Sequence, residues 1–338
     1  MKDGELFGTT QAAEEIRRFT IRGGGLSANI LNLGAIIQDL RLAGHEAPLV
    51  LGFDRFEAYE RDTGYFGAVV GRFANRIRDG RFTLAGQRQQ TDRNFLGKHA
   101  LHGGSGGYSG RAWSVALHGH DFVTLSLHDP GGSMGFPGAL DVTCTYRLKI
   151  PGTLSVELTA TADEATVCNL SQHSYFNLDD GGAGDVLDHR VMIPAGAYLP
   201  VDAEMIPTGV VQPVDRTPFD FRQARSLRTE AGDQLVYDHN FCLASARGPL
   251  RKAAWVQGAV SGVEMEVWTT EPGLQLYGGG YIAPPAPGLG GIGYKRFAGL
   301  CLEAQTWPDA PNRSYFPSAT LLPGETYHQL TEYRFRLG

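Results

Sequence analysis

The sequence predicts an all-β chain, an antiparallel sandwich or barrel, on three observations. Apolar residues recur at every second position over several separate runs. Glycine (45 residues) and proline (18 residues) are spread between those runs as punctuation and do not gather into one low-complexity block. Helical periodicity is scarce: Phe53 to Asp62 and Phe219 to Leu227 read as short helices, and neither is long enough to cover a parallel sheet.

The strands follow in order. Val123, Leu125 and Leu127 alternate with Thr124, Ser126 and His128. Val142, Cys144, Tyr146, Leu148 and Ile150 alternate with Thr143, Thr145, Arg147 and Lys149. Leu154, Val156, Leu158 and Ala160 alternate with Ser155, Glu157, Thr159 and Thr161, and Val263, Met265 and Val267 with Glu264, Glu266 and Trp268. Period two in β-branched and aromatic residues is the pattern of a strand with one face in a core. Many such runs between Gly/Pro turns favour a sandwich or barrel over an α/β fold. No repeat of fixed period stands out, which weighs against a propeller. No composition shift marks a linker, so residues 1–338 read as one domain, with Gly278 to Gly293 as a long surface loop. Within it, Gly288-x-Gly290-x-x-Gly293 matches the dinucleotide fingerprint only as a pattern. Pro284, Pro285 and Pro287 precede it where a strand is required, and no helical pattern follows.

Charge and composition exclude other classes. The net charge is -6, from 30 basic and 36 acidic side chains, and a nucleic-acid binder would show a basic stripe instead. No run of about 18 apolar residues exists to span a membrane. The charged start, Met1-Lys2-Asp3-Gly4-Glu5, lacks the apolar core of a secretory leader. Cys144, Cys168, Cys242 and Cys301 lie far apart with no C-x-x-C pair. They read as buried free thiols in a reduced, cytoplasmic protein.

Five clusters offer chemistry. In Asn169 to Leu178, an extended backbone places Ser171, His173, Tyr175 and Asn177 on one face and Leu170, Phe176 and Leu178 on the other. That polar face is uncharged, hydrogen-bonding and aromatic, which suits a neutral polyhydroxylated ligand. His173 titrates near neutrality, and serves either as a proton carrier or as a half-buried ring satisfied by backbone. Gly71 to Arg81 holds Arg72, Arg76, Arg78 and Arg81. It reads as a phosphate site, as a solvated strand end, or through Asn75 and Arg76 as donors to sugar hydroxyls. His99 and His102 stand three apart, but Gly103-Gly104-Ser105-Gly106-Gly107 argues against the helix a metal pair would need. Those glycines permit close approach of backbone to a ligand. Asp238 offers two oxygens to adjacent hydroxyls, or serves a turn. Glu303 shares a strand face with Cys301 and Gln305, opposite Leu300, Leu302 and Ala304. A carboxyl there is costly unless partnered or protonated, and burial makes it a stronger base; the alternative is a wet outer face. Leu274-Gln275-Leu276-Tyr277 repeats the arrangement. No serine occupies a nucleophile elbow and no Cys/His set has metal spacing, so a Glu/His acid–base pair is the most coherent chemistry.

Together and in this order the clusters resemble the aldose 1-epimerase (galactose mutarotase) family over nearly the whole chain. The likeness runs through Gly71-Arg72-Phe73-Ala74-Asn75-Arg76-Ile77, Leu101-His102-Gly103-Gly104 and His173-Ser174-Tyr175-Phe176-Asn177-Leu178. It continues through Gly184-Asp185-Val186-Leu187-Asp188-His189, Tyr237-Asp238-His239-Asn240 and Glu271-Pro272-Gly273-Leu274-Gln275. It closes with Leu302-Glu303-Ala304-Gln305, Pro308-Asp309-Ala310-Pro311-Asn312 and Leu322-Pro323-Gly324-Glu325-Thr326-Tyr327. The resemblance implies a large β-sandwich with an open cleft and no cofactor or metal. It implies Glu303 as general base and His173 as general acid, with Asn75, Arg76, His102, Tyr175, Asp238 and Gln275 binding the sugar. Two departures bear on sugar preference: Gly278-Gly279-Gly280-Tyr281 replaces a Thr-Gly-Asn-like segment, and Ala304 stands where threonine is usual.

The implied reaction opens a hemiacetal, turns the aldehyde about C1–C2 and recloses it as the other anomer. It requires His173 to hold a proton near neutral pH, with help expected from a nearby carboxylate or the negative potential of the site. Free galactose and glucose are the expected substrates, and a monomer or homodimer the expected assembly. Two other readings stay open: an epimerase for a phosphorylated or different sugar, with Arg72 and Arg78 on the phosphate, and a non-catalytic sugar binder on the same fold.

Overall fold

The computed structural model describes residues 4–61, 64–229 and 235–338. Met1, Lys2 and Asp3 at the charged start, and Asp62 at the end of the expected helix, lie outside the described residues. Among the described residues three sheets carry the architecture, and their strands pair antiparallel. The largest has nine strands in the order Ser114–His118, Phe122–Asp129, Leu140–Lys149, Thr153–Ala162, Tyr327–Arg336, Glu264–Thr269, Arg251–Gln257, Arg190–Met192, Arg225–Ser226. A six-stranded sheet runs Tyr175–Phe176, Leu300–Gln305, Gly273–Tyr277, Asp238–Cys242, Ala197–Tyr198, Gln212–Pro213. A four-stranded meander, Glu5–Thr9, Glu15–Gly23, Leu26–Leu31 and Ile36–Leu42, completes the set.

The inner faces meet in one apolar cluster. It joins Leu125, Val142, Tyr146, Val156 and Leu158 of the large sheet to Leu274, Leu276, Leu300 and Leu302 of the six-stranded sheet and to Ile21, Ile30 and Leu40 of the meander. Full burial of each such side chain stabilises by about 1.5–3 kcal/mol. The expected alternation holds here: along Leu140–Lys149 buried and partly exposed residues alternate throughout. Ile150 departs from it. The strand ends at Lys149, and Ile150 is 87% exposed in the turn before Pro151, which has no N–H to extend the ladder. Cys144, Cys168 and Cys301 are buried thiols, as expected, whereas Cys242 is only partly buried.

Three local expectations are corrected. The first helix is the six-residue Phe56–Arg61, burying Phe56, Ala58 and Tyr59. Phe219 to Leu227 is not helical. The Thr217 hydroxyl accepts the Phe219 N–H and the Asp220 carboxylate accepts the Arg222 N–H, so side chains cap turns in place of a helical ladder. The Gly278–Gly293 loop is only partly a surface feature: Gly278, Gly279, Gly280, Ile282 and Leu289 are buried. Tyr294 anchors it, its hydroxyl donating to the Gly52 carbonyl at 2.9 Å and accepting the Leu289 N–H at 3.0 Å. Leu289–Gly291 forms a single 3-10 turn, as a loop and not a dinucleotide fold would have it. No helix among the described residues is long and apolar enough to cross a membrane.

Candidate active site

The stretch from Asn169 to Leu178 is not one strand but two, broken at His173 and Ser174. Ser171–Gln172 pairs with Val69–Val70, and Tyr175–Phe176 pairs with Leu300 and Cys301. Gln172 makes the break. Its Oε1 accepts the Ser174 N–H at 2.9 Å and its Nε2 donates to the Ser174 hydroxyl at 2.8 Å, replacing ladder partners. His173 sits at this corner, its N–H on the Ala68 carbonyl and its carbonyl on the Gly67 N–H. The ring thereby points over the six-stranded sheet.

That sheet is the floor. Leu300–Gln305 and Gly273–Tyr277 are buried at every residue, so their polar side chains, Glu303 and Gln275 among them, are held away from water. Glu303 Oε1 lies 3.7 Å from His173 Nε2. Asp238, on the next strand, accepts from Arg76 Nη2 at 3.2 Å and from Gln275 Nε2 at 2.6 Å. The walls come from two short loops. Asn75 and His102 are locked together: the Asn75 N–H donates to His102 Nδ1 at 3.1 Å, and the His102 N–H to the Asn75 carbonyl at 3.0 Å. The Asn75 side-chain oxygen accepts the Arg76 N–H at 2.9 Å, and the Arg76 guanidinium lies 4.7 Å over the Phe95 ring.

These groups enclose a cavity of about 200 Å³ lined by Tyr65, Phe66, Asn75, Arg76, His102, His173, Tyr175, Asp238, Tyr277, Tyr281, Ile282 and Glu303, among others. That is below the roughly 300–1,000 Å³ of drug-sized clefts, so it suits a small ligand. Three of its wall residues have left-handed backbone: Tyr65 (φ 60°), Asn75 (φ 64°) and His102 (φ 49°). Asn and His visit that region more readily than most residues, whereas a tyrosine there is strained, at about 1–3 kcal/mol.

Burial sets the protonation. It raises Glu303 to about 8, helped by the negative Asp238 and opposed by Arg76. Burial lowers His173 to about 4, against the pull of its own backbone carbonyl and Asp238. His102 is driven well below its usual range by burial, then by His173 and Arg76. The expectation that His173 holds a proton near neutral pH with help from a nearby carboxylate is therefore corrected: Asp238 does raise it, but burial outweighs that help. Between about 4 and about 8 the Glu303–His173 pair holds one proton, and burial favours it on the carboxyl.

Single atoms of His102, His173 and Glu303 come within 4.8 Å of one another, a spacing that a divalent cation bridges. The chemistry of His102 opposes it. Its Nδ1 is taken by a backbone N–H, so the neutral ring carries its proton on Nε2 and neither nitrogen offers a lone pair. His102 is a hydrogen-bond donor to the cavity.

Of the residues the sequence singles out, Glu303, His173, Asn75, Arg76, His102, Tyr175 and Asp238 converge on the cavity. Gln275 does not line it. It stands behind Asp238, donating to its carboxylate at 2.6 Å and accepting from Gln305 at 3.4 Å. Ser171 stays in the interior, and Asn177 caps a turn, accepting the Asp179 and Asp180 N–H groups. Gly103 approaches backbone and not ligand: a Cβ there would meet the Gly71 carbonyl oxygen at 1.9 Å. Arg72 and Arg78 are both engaged elsewhere. Arg72 is buried on Asp129 and the Pro137 and Gly138 carbonyls, and Arg78 pairs with Asp202 at 2.9 Å. Tyr65 and Phe66 were not foreseen; their only signal is an aromatic pair directly after Gly64.

The sequence pattern of the aldose 1-epimerase family matches residues 17–334. The chain is 41% identical to a galactose mutarotase of Mus musculus, over 95% of this chain and 94% of that one. It is 35% identical to an aldose 1-epimerase of Escherichia coli K12, over 94% and 95% of the two chains. The crystal structure of a GalM/aldose epimerase homologue from C. elegans superimposes with a TM-score of 0.89 at 31% identity, covering 95% of this chain and 99% of that chain.

Proposed function

The chain belongs to the aldose 1-epimerase family, and from that membership we propose that Glu303 and His173 move the protons that interconvert the α and β anomers of a free aldohexose. The enzyme is an isomerase. Galactose, which the names of its mutarotase relatives carry, is its proposed substrate, with glucose as a second free aldohexose. One observation carries the assignment of roles: Glu303 and His173 face each other at 3.7 Å on the floor of a small cavity, where burial makes the carboxyl a stronger base and the imidazolium a stronger acid.

The working form is the other arrangement of the pair's one proton, a carboxylate beside an imidazolium. Opposite charges about 4 Å apart attract by about 4 kcal/mol at an effective dielectric of about 20, which offsets part of their desolvation. Glu303 takes the proton of the anomeric hydroxyl. The C1–ring-oxygen bond breaks as the C1 carbonyl forms, and His173 Nε2 gives its proton to the ring oxygen. The aldehyde turns by half a rotation about C1–C2. His173 then takes back the hydroxyl proton, the ring closes on the other carbonyl face, and Glu303 protonates the new anomeric oxygen. Each positioned acid or base contributes about 10²–10⁴ in rate. His102 Nε2–H and Arg76 supply fixed positive dipole and charge for the oxygen that gains electron density. Asp238 keeps a free lone pair on each oxygen beyond its bonds to Arg76 and Gln275, enough to receive sugar hydroxyls.

Optical rotation of freshly dissolved α-galactose, α-glucose and a hexose 6-phosphate, with and without protein, tests the reading. Acceleration with the free sugars that disappears in Glu303→Gln and His173→Asn is expected. Binding with no acceleration makes the chain a sugar binder instead. Acceleration confined to the phosphate would call for a cation that neither Arg72 nor Arg78 provides.

A further inference from the structure

The Leu300–Gln305 strand meets the His173 ring twice. Glu303 faces Nε2 at 3.7 Å, and Cys301, two residues earlier on the same strand face, sets its Sγ 3.6 Å from Nδ1. Cys301 is fully buried, opposite Tyr175 on one neighbouring strand and Tyr277 on the other. It does not line the cavity. We propose that Cys301 is a positioning residue for the reaction: its thiol holds Nδ1 of His173 so that Nε2 stays aimed at Glu303 and the sugar ring oxygen through both protonation states. The proposal rests on the acid role assigned to His173 above.

A thiol is one weak donor and one weak acceptor. When the neutral ring carries its proton on Nε2, the S–H donates to Nδ1. When the ring is an imidazolium, or neutral with its proton on Nδ1, the sulfur accepts. The ring therefore exchanges its Nε2 proton without turning. A carboxylate in the same place would only accept and would make the ring more basic, blunting it as an acid. Burial, and then the charges of Glu303 and Asp238, push the Cys301 thiol well above its usual range, so it keeps its hydrogen. The other groups around the ring do not substitute for it. His102, Tyr175 and Tyr65 meet it with ring centroids at 5.3, 5.2 and 5.8 Å, and Asp238 acts on it through charge. The backbone carbonyl of His173 also bears on the ring, but a carbonyl only accepts, so it holds a protonated ring nitrogen and not a bare one.

The test compares Cys301→Ser, Cys301→Val and Cys301→Ala by kcat, KM and the pH dependence of kcat/KM, with nitrogen NMR of ¹⁵N-histidine-labelled protein without sugar. Serine keeps a group that donates and accepts, so kcat stays within about threefold of wild type. Valine keeps the volume but loses the hydrogen bond, and kcat falls roughly tenfold with KM unchanged; alanine behaves likewise. The acidic limb of kcat/KM moves in Cys301→Val and Cys301→Ala. The His173 Nδ1 shift moves away from its wild-type value in those two variants, which leave that nitrogen without the sulfur, and stays near it in Cys301→Ser. A valine variant with wild-type kcat, pH limb and nitrogen shifts overturns the proposal, as does a serine variant that falls as far as valine. If the wild-type protein accelerates no anomerisation, the functional reading fails, while the nitrogen shifts still decide whether Cys301 holds the ring.

Discussion

The nine-stranded and six-stranded sheets use the same antiparallel pairing and obey opposite rules about polarity. Along Leu140–Lys149 apolar side chains point inward, and Thr143, Thr145, Arg147 and Lys149 reach the outer face. That face is laced with charge pairs such as Lys252–Glu266 and Arg334–Glu332. Leu300–Gln305 has no outer face in that sense, because every residue is buried, Glu303 and Gln305 included. Three of its buried polar atoms, Glu303 Oε2, Gln305 Oε1 and Asn240 Nδ2, have no hydrogen-bond partner among the described residues. One sheet is built to stabilise the chain. The other keeps a carboxyl dry, at a cost in stability, so that its proton is available near neutral pH.

Exchanging the two roles breaks this contrast most sharply. Glu303→Gln is expected to lose about 10²–10⁴ in kcat while the protein melts a few degrees higher. A carboxyl raised to about 8 in the fold keeps a proton that the unfolded chain releases above its ordinary 4.5. Its contribution to stability therefore declines as pH rises from there toward 8, and glutamine removes the decline. Polarimetry and calorimetry on one preparation decide it, and a variant that melts lower at neutral pH contradicts the burial account. His173 acts in the opposite sense. Its folded value of about 4 lies below the ordinary 6.5, so its contribution is complete above about 6.5 and is lost as pH falls toward 4.

Arg72 and Arg76, four residues apart, sharpen the same contrast. Arg72→Ala removes the guanidinium that donates twice to Oδ2 of buried Asp129 and is expected to cost about 3 kcal/mol in denaturant unfolding with KM unchanged. A raised KM at unchanged stability would move Arg72 into the site. The pH dependence comes next. kcat/KM is expected to be level between about 4 and about 8 and to fall about tenfold per unit beyond, as the pair gains a second proton below or loses its only one above. A break near the ordinary histidine value of 6.5 would show that the ring titrates alone. Gln275→Ala, which frees Asp238 from its support, is expected to raise KM about tenfold. Lys252→Ala on the outer face is expected to change stability by less than about 1 kcal/mol and the kinetics not at all.

Much of the site was legible because its residues stand in strands whose alternation is local. His173 and Tyr175 share a face in the sequence and share the cavity in space. Ser171 and Asn177 belong to the same alternation and are lost from the cavity, because the Gln172 side chain breaks the strand between them. Gln275 reads like Glu303, yet it ends one position behind the wall, where Asp238 takes its amide. Tyr65 was hidden because its place depends on a left-handed backbone that no periodicity signals. Gly103 was visible but misread: the close approach it allows is to the Gly71 carbonyl.

By itself the sequence determined which runs are strands and which of their faces enter the core, since a two-residue period and Gly/Pro turns are properties of neighbouring residues. It also contained the acid–base pair as residue types in a family-like order. Only the tertiary structure decided that Glu303 and His173 stand 3.7 Å apart, that burial drives one up and the other down, and that Cys301 meets the far side of the ring. Those are matters of distance and solvent exclusion, and both are set by strands that lie more than a hundred residues apart in the chain.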